Sequence, residues 1–115
     1  MYVDGFVLAI PKDKVDEYRK VAQIGAAVWK EHGALEFREC VGDDLDVEGM
    51  TSFPQQMNAQ RGETIVFSWI VFASRAERDR INALVMKDPR TSETGPMPFD
   101  MQRMVYGGFE VLVDG

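Results

Sequence analysis

Residues 64–72 read TIVFSWIVF, nine residues without a charge. β-Branched and aromatic side chains dominate, so the stretch predicts a strand. Its alternation has an uncommon consequence. Ile65, Phe67, Trp69 and Val71 point one way; Val66, Ile70 and Phe72 point the other, with Thr64 and Ser68. A half-solvated strand would be polar on one side, so this one reads as covered on both.

The flanking segments place that strand in a sheet. Ser74 and Glu77 have the spacing of a capping box, and Ile81, Leu84 and Val85 form a helical apolar stripe that Asp88-Pro89 closes. Residues 43–62 read as a long loop with a short helical turn near 55–59, functional or an arm toward a partner. Before it, Ala34 to Val41 alternates, with Leu35, Phe37, Glu39 and Val41 on one side and Glu36, Arg38 and Cys40 on the other. Further back, Val15, Tyr18, Ala22, Ala26 and Trp29 make the stripe of a first helix, capped by Asp13 and stopped at Gly33. Tyr2 to Ile10 (YVDGFVLAI) is a strand ended by Pro11. At the other end, residues 91–98 read as a loop and Met104 to Val113 as the last strand, where Gly107-Gly108 marks a bulge or a close backbone approach.

The order is β-α-β, loop, β-α-β over a single domain, residues 1–115. That is an α+β, ferredoxin-like βαββαβ antiparallel sheet with two helices on one face. The other face needs a cover. A second copy of the chain is the economical one, giving a homodimer whose sheets pack into a dimeric α/β barrel.

Composition narrows the function. The net charge of −6 disfavours general nucleic-acid binding. The lone cysteine, Cys40, cannot close an internal disulfide, and the start of the chain lacks a signal-peptide pattern. No apolar run approaches the roughly 20 residues of a membrane span. A cytoplasmic location is therefore expected.

The segments YVDGFV, WKEHGALEFRE, ETIVFSWIVFASRAERDRIN, KDPR and PFDMQRMVYGGF resemble a family of small bacterial proteins catalogued as domain of unknown function 1428. The resemblance runs from Tyr2 to about Asp114. It implies a ferredoxin-like protomer of the dimeric α/β-barrel superfamily. It implies no activity, since the family is uncharacterised and its superfamily spans cofactor-free monooxygenases, isomerases and haem-binding proteins.

The candidate chemistry is sparse. His32, the sole histidine, precedes Gly33 and reads first as a helix C-terminal cation; the functional alternative is a general base or a haem ligand at the barrel mouth. Asp43, Asp44, Asp46 and Glu48 lack the pattern of a calcium loop and read as a solvated acidic loop. Asp4, Ser68, Arg103, Tyr106 and Glu110 are polar residues on expected strands with apolar neighbours, so they need partners. Either they bond between strands, or a few of them orient a small ligand. Parity sets Tyr106 and Glu110 on one face and Arg103 on the other. Trp69, beside Phe67, reads as core before it reads as a ligand platform. Arg75, Arg78 and Arg80, interleaved with Glu77 and Asp79, suggest a mixed-charge solvent face. No phosphate-binding glycine loop, CxxC pair or nucleophile elbow is present, and no cofactor is expected.

The leading function class is a small-molecule binding or cofactor-free enzymatic cavity between sheet and helices, taking an apolar or aromatic compound. The alternative is a non-enzymatic dimeric module that binds protein through the 43–62 loop. RNA association ranks last.

Overall fold

A computed structural model describes residues 1–93 and 95–115. Four strands, β1 (Tyr2–Pro11), β2 (Glu36–Val41), β3 (Glu63–Phe72) and β4 (Val105–Glu110), form one sheet in the order β2-β3-β1-β4. All three pairings are antiparallel. Two long helices, α1 (Val15–His32) and α3 (Arg75–Lys87), lie across one face. Short helices α2 (Phe53–Gln56) and α4 (Pro89–Ser92) and 3₁₀ turns at Lys12–Lys14 and Met101–Arg103 complete the chain. This is the ferredoxin-like α+β architecture. Among the described residues, no helix is long and apolar enough to cross a membrane.

Local chemistry explains the boundaries. Ser74 caps α3 by accepting a hydrogen bond from the Glu77 backbone at 3.1 Å, while the Glu77 carboxylate turns to Arg80. Gly33 takes φ 121°, a backbone that favours glycine, and stops α1. Asp13 does not cap α1, because it lies within the preceding 3₁₀ turn. Past Asp88, Pro89 starts the extra turn α4, with the Asp88 side chain accepting from the Arg90 backbone. The loop expected over 91–98 thus begins helically, and its Thr94 lies outside the described residues — a position the sequence gives as Glu93-Thr94-Gly95. β4 is shorter than expected, and Arg103 sits in a 3₁₀ turn ahead of it. Across β4 the register with β1 is continuous, so Gly107-Gly108 forms no bulge.

The register assigns the faces. Tyr2, Asp4, Phe6, Leu8 and Ile10 of β1 share the helical side with Val66, Ser68, Ile70 and Phe72 of β3 and with Tyr106 and Gly108 of β4. The core there is split. Val28, Ala34, Ile70, Phe72, Ile81 and Val85 fill one end, and Leu8, Ile10 and Val66 fill the other with Tyr18, Phe99 and Met104. The opposite side carries Val3, Val7, Phe67, Trp69, Val105 and Phe109 around an apolar hollow of about 450 Å³.

One corner of that opposite side is covered within the chain. Leu45, Met57 and Ala59, from the loop between β2 and β3, pack on Ala9 and Ile65. That loop is therefore partly structural rather than a free arm. Elsewhere the face is open: Phe67 is 44% exposed and Phe109 59%. Phe67 and Trp69 are thus not core of the protomer; they stack edge-to-face, 5.7 Å between ring centres, on the uncovered side.

Candidate functional site

Between the two halves of the core lies a cavity of about 570 Å³. Its walls are mostly apolar, with Phe6, Leu8, Val21 and Trp29 within and Met86, Met97, Phe99, Met101 and Met104 at one side. Two groups of polar side chains converge on it.

The first group is centred on Asp4, only 1% exposed. Arg78 Nη1 donates to Asp4 Oδ1 at 2.8 Å, and Asn82 Nδ2 donates to Oδ2 at 3.2 Å. Asn82 in turn accepts from Trp29 Nε1 at 3.0 Å, and Arg78 also donates to the Tyr106 hydroxyl at 2.8 Å. Buried carboxylates need such compensation. Burial, then the Asp4 charge, raises the pKa of Tyr106, so its hydroxyl keeps its proton. The backbone makes room for two side chains: Gly108 stands opposite Asp4, and a Cβ there would run into the Tyr2 ring and lie 2.9 Å from Nη1 of Arg78, which stacks over that ring. The glycine is a close approach, as the sequence allowed.

The second group is centred on Glu39. The Tyr18 hydroxyl donates to its Oε2 at 2.8 Å, and Ser68 hydrogen-bonds to the same carboxyl group. Burial raises the Glu39 pKa, and the two hydroxyls only partly offset that. Burial and the facing Glu39 push the Tyr18 phenol well above its ordinary value. A carboxyl moved toward neutrality can exchange a proton with a bound molecule, the property a general base needs. Tyr18, Ala22 and Glu39 also line a second hollow of about 260 Å³ between α1 and β2, so this group forms a partition between inner cavity and outer vestibule.

The residues singled out in the sequence distribute unevenly. Asp4, Ser68 and Tyr106 meet at the cavity. Trp69 lies on the other side of the sheet, donating to Glu36 Oε1 at 2.8 Å. His32 Nε2 is 3.0 Å from Asp88 Oδ2, tying the end of α1 to the end of α3. Arg103 grips Glu63 with two hydrogen bonds of 3.0 and 2.7 Å and holds the Glu63 pKa down. Glu110 is exposed at the end of β4, opposite Tyr2. The acids of residues 43–48 form no metal site: among the described residues no three His, Cys, Asp or Glu side chains are placed to hold an ion.

Sequence reasoning missed Glu39, Tyr18, Asn82 and the buried role of Arg78, whose side chain is 13% exposed rather than on a solvent face. The signals were there. Glu39 falls on the apolar parity of its strand between Phe37 and Val41. Arg78, Asn82 and Met86 recur every four residues, which puts them on one face of α3.

This geometry defines a ferredoxin-like protein with an apolar cavity behind its sheet and a bare apolar face in front. Comparison with known proteins makes the assignment specific. Residues 1–101 match the family described as Protein of unknown function (DUF1428), and the chain belongs to that family. It is 47% identical over 114 residues to "Uncharacterized protein YbaA" of Escherichia coli K12, covering 98% of this chain and 97% of that protein. Among solved structures it is similar to an uncharacterized NIPSNAP domain protein from Burkholderia xenovorans, with TM-score 0.62, 17% identity, and 96% and 94% of the two chains covered. It is also similar to a dimeric ferredoxin-like protein of unknown function from Jannaschia sp. CCS1, with TM-score 0.57, 15% identity, and 96% and 100% covered. At these identities the structural likeness speaks for the fold.

Proposed function

We propose that the chain acts as a homodimer that binds a small, largely apolar or aromatic molecule in the cavity between sheet and helices. The observation that carries the reading is the cavity itself. Its size suits a small organic ligand, and its apolar wall is broken by few polar groups, each held by a partner. Glu39 is the group that would receive a proton from a ligand with an acidic hydrogen.

The dimer rests on the open face. Val3, Val7, Phe67, Val105 and Phe109 form one contiguous apolar surface around the hollow, and a second sheet laid on it about a two-fold axis would cover both copies at once. A dimeric state has support from the structurally similar protein of Jannaschia, which is described as dimeric and ferredoxin-like.

Titration with N-phenyl-1-naphthylamine, an uncharged fluorescent probe, tests the cavity. Wild type should bind it, and Ala22→Phe, which fills the cavity from α1, should weaken binding about tenfold while circular dichroism is unchanged. Equal affinity of the two proteins would place the probe elsewhere and refute the reading.

A further inference from the structure

We infer that the cavity selects an organic cation: an amine whose ammonium group pairs with Glu39 and whose apolar body lies among the aromatic and methionine side chains. This deepens the proposed cavity function and rests on it.

The two acids at the cavity differ in one respect. Asp4 is saturated, with Arg78 on one oxygen and Asn82 on the other. Its charge is already met by a guanidinium at 2.8 Å. Glu39 has only hydroxyl partners, Tyr18 and Ser68. Among the described residues, none of the ion pairs includes it. One end of the cavity thus presents an acid without a counter-charge in a place where water cannot fully solvate it. A buried acid lacking a cation is destabilising, and a cationic ligand would relieve it.

The walls fit the same ligand. Tyr18 and Phe99 meet edge-to-face, 5.7 Å between centres, beside Glu39, and Trp29, Phe6 and Tyr106 lie on the remaining walls. Aromatic faces attract ammonium groups, and methionine side chains adapt to an irregular apolar body. An anionic ligand meets the opposite conditions: among the described residues no lysine or arginine lines the cavity, and Arg78, which reaches Asp4, is already engaged by Asp4, Asp79 and Tyr106.

Isothermal titration of the full chain with benzylamine, benzyl alcohol and phenylacetate at neutral pH decides the matter. These probes share one ring and differ in charge. Wild type should bind benzylamine about tenfold more tightly than either of the others, the size expected of one charge-assisted hydrogen bond. Glu39→Gln, near-isosteric and checked for fold by circular dichroism, should abolish that preference, bringing benzylamine to about the affinity of benzyl alcohol. If benzyl alcohol or phenylacetate matches benzylamine on wild type, the inference fails and the cavity reading stands. It fails in the same way if a folded Glu39→Gln keeps the preference. If Glu39→Gln does not fold, the three wild-type affinities decide alone. If none of the three binds at millimolar concentration, both readings fail together.

Discussion

Glu39 and Asp4 show how differently one fold treats two carboxyl groups. Burial raises the pKa of Glu39, so the folded state holds its proton more tightly than the unfolded chain does. Stability from this group is complete below the ordinary carboxyl range and is lost as pH rises through the raised value. Glu39→Gln cannot ionise, so its stability relative to wild type should increase as pH rises from the ordinary carboxyl range through the raised value, measured by urea unfolding at each pH. A difference that stayed flat or reversed would contradict the burial of Glu39. Asp4 is a different case, because its charge neutralises Arg78 in a site where neither is free to solvate. Asp4→Asn should destabilise the fold by about 3 kcal/mol, since it strands the guanidinium. Unfolding in urea would check this, and a loss under about 1 kcal/mol would show that Arg78 swings out to solvent.

The long elements meet through polar ties as well as through the core. α3 brings Arg78, Asn82 and Met86 to the cavity from one face, so its position fixes the Asp4 group. Its start depends on the Ser74 cap. Ser74→Ala should cost about 1 kcal/mol, read as a lower urea midpoint with an unchanged slope. His32 belongs to this level too. It is the last residue of α1, and its contact with Asp88 locks that helix against the end of α3. Arg90 joins the same carboxylate at 2.8 Å, and together Arg90 and His32 hold Asp88 well below the usual carboxylate range. The histidine therefore closes a joint between helices and lies away from the cavity lining.

For the molecule as a whole, the sheet separates two apolar surfaces with different fates. The helical side carries the cavity; the other side is closed at one corner by the loop around Met57 and open elsewhere. Phe109 lies against Gly5 and Gly107, where an added Cβ would come to 3.4 Å from its ring, and it is 59% exposed. An aspartate at this exposed position should split the dimer without unfolding the protomer. Sedimentation at micromolar concentration should find wild type dimeric and Phe109→Asp monomeric. A wild-type monomer would remove the dimer from the functional reading.

Strand and helix periods made the ferredoxin-like order legible, because burial imposes a period of two on strands and near four on helices, and TIVFSWIVF showed that both sides of the sheet demand a cover. Asp4, Ser68 and Tyr106 were equally visible as polar residues on apolar strands. Their partners were not. Arg78 follows Asp4 by 74 residues, and nothing in a local charge pattern tells a buried guanidinium from a solvated one. Glu39 and Tyr18, 21 residues apart, meet only because α1 packs over the edge of the sheet. Periodicity records which way a side chain faces; the contacts across the cavity depend on how helices and sheet pack, and so do the displaced proton equilibria that follow from them.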